Sequence, residues 1–112
     1  MISTSSLDRI RDLNDAMRLA GPSCVRWMMT QGVMAEGPTF MLLATNAVQT
    51  FSDFKPDNDA YGEHDYGAFD LAGRRLFWKI DYYDRDLRYG SSDPSDSSVT
   101  IRVLTIMLAS EY

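Results

Sequence analysis

Residues 64–83, HDYGAFDLAGRRLFWKIDYY, contain the pattern that decides the fold of this chain. Apolar and polar residues alternate on both sides of Ala72-Gly73, which is typical of two strands joined by a two-residue turn. This turn predicts the pairs Leu71 with Arg74, Asp70 with Arg75, Ala68 with Phe77, Tyr66 with Lys79, and His64 with Asp81. One face of the hairpin then collects the apolar and aromatic side chains of Phe69, Leu71, Leu76, Trp78, Ile80 and Tyr82. We therefore predict an antiparallel hairpin over residues 64–83 that buries this face.

A three-residue loop with Gly73 in a bulge is the alternative register for the same hairpin. It would shift the pairing by one residue and scatter the apolar side chains over both faces. The two-residue turn is therefore the preferred interpretation.

Helical patterns precede the hairpin. Leu7, Ile10, Leu13, Met17 and Ala20 fall on one stripe, Ser5 or Ser6 can cap its start, and Gly21-Pro22 ends it. A second broad apolar face follows Pro38, which suits a first helical position. The apolar stretch CVRWMMT at 24–30 favours a short buried strand between these helices. The patterns predict helices at 6–20 and 38–51 as the layer on which the hairpin packs.

The C-terminal segment 99–112, VTIRVLTIMLASEY, fits either type of element. Val99, Val103, Ile106 and Met107 have helical spacing, and Asp96 or Ser97 can cap them, whereas the β-branched residues leave a strand as the alternative. We favour a helix. The whole chain is then predicted to be one α+β domain, residues 1–112, in the order α-β-α-β-β-α.

The composition bears on compartment and partners. A single cysteine, Cys24, excludes an internal disulfide framework and suits the cytoplasm, where we place the protein. The N-terminus has no basic region before an apolar run, and no stretch approaches 18 apolar residues, so no membrane association is expected. The net charge of −5 falls entirely on residues 53–96, where eleven acids face six bases. This negative field disfavours direct nucleic-acid binding and favours a protein partner with a basic surface.

The most acidic stretch, DNDAYGEHDYG at 57–67, surrounds the only histidine of the chain. Aligned to a calcium-binding loop from Asp57, it places Tyr61 and Ala68 where oxygen ligands are required. Its spacing matches no other standard metal site, so we predict a solvated acidic turn with neither metal nor cofactor.

The same stretch suggests an acid–base pair. If the hairpin register holds, His64 lies beside Asp81, and a histidine oriented by a carboxylate is a common acid–base arrangement. A structural contact across the hairpin is the simpler interpretation of this pair. Cys24 has only Arg26 nearby to activate its thiol, so burial without reactivity is expected.

Four ordered blocks of the sequence are distinctive: RIRDLNDAMR, FKPDNDAYGEHDYGAF, FWKIDYYDRDLRYGSSDP and VTIRVLTIMLASEY. Through them the chain resembles, over nearly its whole length, the bacterial family named domain of unknown function 3768. The resemblance implies a small protein, found mostly in alphaproteobacteria, with its gene often among those of plasmids or integrated elements. It implies no activity and assigns no catalytic residue.

Two hypotheses about function follow. The first is a non-enzymatic protein of a mobile element that acts against host restriction or CRISPR defence by occupying a basic site on a host protein. Its predicted contact residues are Asp57, Asp59, Tyr61, Glu63, Asp65, Tyr66, Tyr83, Asp84 and Asp86. The second is a small hydrolase or nuclease-like enzyme that uses His64 with Asp65 or Asp81. The absence of a second histidine and of a glycine-rich phosphate loop favours the first.

Overall fold

The computed structural model describes residues 5–23 and 26–112. Helix α1 (Ser6–Ala20) is followed by a 3-10 turn (Gly21–Ser23), strand β1 (Trp27–Met29), helix α2 (Gln31–Ala35) and helix α3 (Pro38–Gln49). Strands β2 (Tyr66–Leu71), β3 (Arg74–Tyr83) and β4 (Ile101–Leu108) come next, and a 3-10 turn (Ala109–Glu111) ends the chain. The predicted α+β class is confirmed, with a mixed four-stranded sheet in the order β1-β4-β3-β2.

The hairpin has the predicted register over all of β2. Leu71 pairs with Arg74, Asp70 with Arg75, Ala68 with Phe77 and Tyr66 with Lys79. Ala72 and Gly73 have φ values of 50° and 78°, as a two-residue turn with two left-handed residues requires. Trp78 is fully buried while Lys79 stays partly exposed, so the predicted apolar face is the one that packs in the core.

The two long helices begin where their caps predict. The Ser5 hydroxyl accepts a hydrogen bond from the Asp8 backbone N–H, and Gly21 ends α1 with a φ of 72°. Pro38 is the first residue of α3. The faces are less regular than the sequence predicts, since Leu7 and Leu43 remain 42% and 47% exposed. Helix α2 was not predicted, because it is one short turn with Val33 as its only buried residue.

The C-terminal segment forms strand β4, so the favoured helix was wrong and the alternative was right. Strand β4 lies inside the sheet, antiparallel to β3 and parallel to β1. Leu104, Ile106 and Leu108 alternate into the core, which satisfies a period of two along the strand. Pairing with a strand on each edge outweighs the helical spacing of the same residues, because β-branched side chains fit the pleated surface of a sheet.

The core lies between the helices and one face of the sheet. Leu76, Trp78, Ile80, Leu104 and Ile106 from the sheet pack with Met17, Val33, Phe40, Ala44 and Val48 from the helices. In the part of the chain that the structure describes, no helix has both the length and the apolar character needed to cross a membrane.

Candidate functional site

The acidic loop, residues 53–65, connects α3 to the start of β2. Because β2 and β3 are antiparallel, the start of β2 lies beside the end of β3, where the chain enters the turn at 84–89. The fold therefore brings the acidic loop and this turn to the same end of the hairpin, which the sequence alone did not establish.

The loop is held by its own hydrogen bonds. The Asn58 side chain accepts from the Lys55 N–H at 2.8 Å and donates to the Asp53 carbonyl at 3.2 Å. The Asp59 carboxylate accepts from the His64 backbone N–H at 3.0 Å, which closes the second half of the loop. Gly62 and His64 both have positive φ, 68° and 56°, so the chain turns sharply before β2 begins.

His64 anchors this loop to α1. Its Nδ1 atom lies 2.9 Å from Oδ1 of Asp15, and its Nε2 atom lies 3.5 Å from Oδ2 of Asp59. The imidazole also stacks on the Phe54 ring, with centroids 3.8 Å apart and planes 5° from parallel. Both ring nitrogens therefore face carboxylates of the protein itself.

The predicted pairing of His64 with Asp81 was wrong. The positive φ of His64 takes it out of the strand, and β2 begins two residues later, at Tyr66. Asp81 instead pairs with Lys79, with Oδ2 and Nζ 3.0 Å apart. Among the described residues, neither Asp65 nor Asp81 lies within 4.0 Å of a His64 ring nitrogen.

Four carboxylates nevertheless lie near one another at this end of the hairpin, and two of them have raised pKa values. Burial, reinforced by repulsion from Asp65 and Asp59, raises the pKa of Glu63 above its usual value. Burial also raises the pKa of Asp65, and the charges of Asp59 and Asp81 add to the effect. The acidic loop thus concentrates negative charge, and ionising Glu63 and Asp65 lowers the stability of the folded state.

The other predicted contact residues differ in accessibility. Tyr61 is 77% exposed and Asp57 is exposed, whereas the Asp59 side chain is only 6% exposed and serves the loop internally. Asp84 accepts a hydrogen bond from the Arg88 N–H at 3.0 Å, which closes the turn at 84–89, and Asp86 is exposed in that turn.

Tyr66 and Tyr83 lie apart from the loop tip. Both belong to the sheet face opposite the helices and are partly buried there. Tyr66 packs against Phe77, with ring centroids 5.6 Å apart. These two tyrosines therefore extend the surface along the sheet rather than around the acidic loop.

Asn14 is a site residue that the sequence analysis missed. It is fully buried, and its amide nitrogen donates to the Glu63 carbonyl at 3.0 Å and to the Tyr82 hydroxyl at 2.8 Å. Its Oδ1 atom accepts from Nε of Arg102 at 2.8 Å. One amide from α1 thus connects the acidic loop to β3 and β4, and burial of the Tyr82 hydroxyl raises its pKa.

Arg18 was missed as well. One guanidinium nitrogen donates to the carbonyls of Val48, Gln49 and Phe51 at 2.7–3.3 Å, and the other pairs with Asp15 at 3.1 Å. These carbonyls lie in the last turn of α3 and just beyond it, where the regular hydrogen bonds of the helix have ended. A polar residue between apolar positions of a helical stripe was the only available signal for either Asn14 or Arg18.

Metal ligands do not assemble in the described ranges 5–23 and 26–112. No group of three or more histidine, aspartate or glutamate side chains there has an arrangement that could hold a metal ion. Cys24 lies outside the described residues, so the expectation of an unreactive thiol stays a prediction.

Comparison with known proteins identifies a family but no activity. Residues 29–111 match the model of a family described as protein of unknown function, DUF3768. No curated protein and no solved structure matches the chain.

Proposed function

The chain belongs to the DUF3768 family of proteins of unknown function, and we propose that it is a non-enzymatic accessory protein of a bacterial mobile element that binds a host protein. In this proposal the acidic loop supplies the charge and Tyr61 the exposed contact area. The partner has a basic surface, and the resemblance to a family whose genes often lie on plasmids and integrated elements suggests the setting.

The observation that supports this proposal is the crowding of Glu63 and Asp65 beside Asp59 and Asp81, in the loop that also carries the exposed Tyr61. Burial, together with repulsion from neighbouring carboxylates, makes it unfavourable to ionise Glu63 and Asp65 in the free protein. A lysine or arginine of a partner would relieve the repulsion. Binding would therefore offset part of the unfavourable electrostatic free energy of the crowded carboxylates in the folded protein. The same field would speed the encounter with a basic protein.

The loop is also suited to binding because it is already ordered. His64 fixes it to α1 through Asp15, the buried Asp59 holds His64 from within the loop, and Asn14 holds the Glu63 carbonyl. A surface that is ordered before binding loses less conformational freedom when the partner arrives.

A nucleic-acid-binding protein of host defence is the partner class that fits this surface. Such proteins carry basic surfaces that neutralise phosphates, and an acidic protein can occupy them in place of the nucleic acid. Restriction and CRISPR nucleases belong to this class, and inhibiting them would benefit a mobile element.

An enzyme that uses His64 with Asp65 or Asp81 has less support. A general base needs a ring nitrogen that can take a proton from a substrate. Here both nitrogens face the carboxylates of Asp15 and Asp59, and Phe54 covers one face of the ring.

Two charge-reversed proteins test the proposal. Asp57→Lys with Glu63→Lys alters the acidic loop, and Asp12→Lys with Asp70→Lys makes the same change in net charge elsewhere on the surface. Each is used to capture proteins from an alphaproteobacterial host, after circular dichroism has verified its fold. We expect the first variant to lose a partner that wild type and the second variant retain, together with inhibition of host defence. Equal capture by both variants would contradict the proposal.

A further inference from the structure

We propose that a pocket between α1 and the start of β4 binds a small organic anion that joins one carboxylate to an apolar body. The pocket has a volume of about 230 Å³. No described residue of the acidic loop lines it, so the inference is independent of the proposed protein–protein interaction.

The walls of the pocket are mainly apolar. Leu13 and Met17 come from α1 and Ile101 comes from β4. An apolar cavity of about 150 Å³ accommodates benzene, so the larger pocket has room for one ring and a carboxylate. Apolar walls of this kind favour a ligand with a hydrophobic body over a fully hydrated inorganic ion.

Two arginines, Arg26 and Arg102, also line the pocket. Within residues 5–23 and 26–112, no carboxylate lies within 4.0 Å of either guanidinium group. Glu63 acts on Arg102 only from a greater distance. Both cations that line the pocket are therefore without a paired carboxylate among the described residues.

Arg102 is held in a fixed position. Its Nε atom donates to Oδ1 of Asn14 at 2.8 Å, one terminal nitrogen donates to the Pro94 carbonyl, and its guanidinium lies 5.2 Å from the centre of the Tyr82 ring. Burial lowers the pKa of Arg102 below its usual value. The second terminal nitrogen has no hydrogen-bond partner among the described residues, so it remains available to a ligand oxygen.

Arg26 faces the pocket from the residue before β1. Its carbonyl accepts a hydrogen bond from the Leu104 N–H at 2.9 Å, which fixes its backbone against β4. Its side chain makes no hydrogen bond with another described residue. A partly buried cation gains most from an anion at close range, and the planar guanidinium matches the two oxygens of a carboxylate.

Calorimetric titration of the whole protein with phenylacetate tests this site, and phenylacetamide serves as the uncharged probe of the same shape. We expect phenylacetate to bind and phenylacetamide to bind about tenfold or more weakly, since a charged hydrogen bond is lost. Arg26→Gln should weaken phenylacetate binding by a similar factor. Arg88→Gln, at an exposed arginine outside the pocket, should leave it unchanged.

The inference is overturned if phenylacetate does not bind, or if the amide binds equally well. It is also overturned if Arg26→Gln, with an unchanged melting temperature, binds phenylacetate as wild type does. Inorganic phosphate binding as tightly as phenylacetate would show that the apolar walls take no part, and would contradict the assigned ligand class.

Discussion

The Nδ1 atom of His64 lies 2.9 Å from the Oδ1 atom of Asp15, 49 residues earlier in the chain. The same Asp15 oxygen is 3.1 Å from a guanidinium nitrogen of Arg18, which itself closes the end of α3. One carboxylate on α1 therefore contacts both His64 of the acidic loop and Arg18, the residue that closes the end of α3. The shape of the proposed binding surface depends on contacts beneath it.

We expect His64→Ala to lower the free energy of unfolding by about 1–3 kcal/mol, because it removes the contact with Asp15 and the stacking on Phe54. Urea denaturation measures the change. Tyr61→Ala, in the exposed part of the same loop, should change stability by no more than about 0.5 kcal/mol. Equal effects of the two substitutions would show that His64 does not anchor the loop.

Arg18→Lys should destabilise the protein by about 2–3 kcal/mol, although the charge is kept. Two nitrogens of the planar guanidinium donate at the same time to a carbonyl beyond α3 and to the Asp15 carboxylate. A single ammonium group cannot make both hydrogen bonds in this geometry. Guanidinium chloride unfolding tests this, with Arg11→Lys as the control at a partly exposed ion pair. A stability near wild type for Arg18→Lys would contradict the role given to its guanidinium.

Gly67→Ala should destabilise the protein by about 1–3 kcal/mol. A Cβ atom at residue 67 would overlap the Trp78 indole and lie 2.7 Å from the Phe51 ring. At Gly90 the nearest atom would be 3.9 Å away, so Gly90→Ala is expected to be nearly neutral. Thermal melts of the two variants should differ clearly, and similar melting temperatures would mean that the Trp78 and Phe51 side chains can move aside at little cost.

Glu63→Gln should raise the melting temperature at pH 7. Because the folded pKa of Glu63 lies above its unfolded value, its favourable contribution is present below pH 4.5 and is lost as pH rises through the folded pKa. The advantage of Gln should therefore disappear near pH 4.

Glu111→Gln provides the opposite control for this pH dependence. Hydrogen bonds from the Thr30 hydroxyl and the Leu108 N–H lower the pKa of Glu111, so its contribution is present at pH 7 and is lost on acidification. Glu111→Gln should accordingly melt below wild type at pH 7. A difference in melting temperature between Glu63→Gln and wild type that is the same at pH 4 and at pH 7 would remove the support for crowded carboxylates.

Local sequence patterns were sufficient for the hairpin and the two long helices. The hairpin register depends on alternation and on a turn between adjacent residues, and the helix ends depend on caps within one turn. The C-terminal strand could not be predicted with the same success, because its two partners, β1 and β3, are distant in sequence. Its Leu104 and Ile106 fit either element until these neighbours are known.

The acidic loop could be located from the sequence, but the contacts that shape it could not. The distribution of charged residues along the chain located the acidic loop, because this distribution can be read directly from the sequence. The contacts that shape the loop come from Asn14 and Asp15 on α1, about 50 residues away, and no local pattern indicates them. The sequence predicts Asp59 as a contact residue although its side chain is buried, because a sequence does not show which carboxylates a loop turns inward.

The salt dependence of partner association tests the central claim most directly. Stopped-flow association rates of the captured partner are measured over a range of salt concentrations for wild type, Asp57→Lys with Glu63→Lys, and Asp12→Lys with Asp70→Lys. The account predicts that the acidic-loop variant associates about tenfold or more slowly at low salt and loses most of its salt dependence, while the control stays close to wild type. Rates and salt slopes that are the same for both variants would contradict the acidic loop as the binding surface.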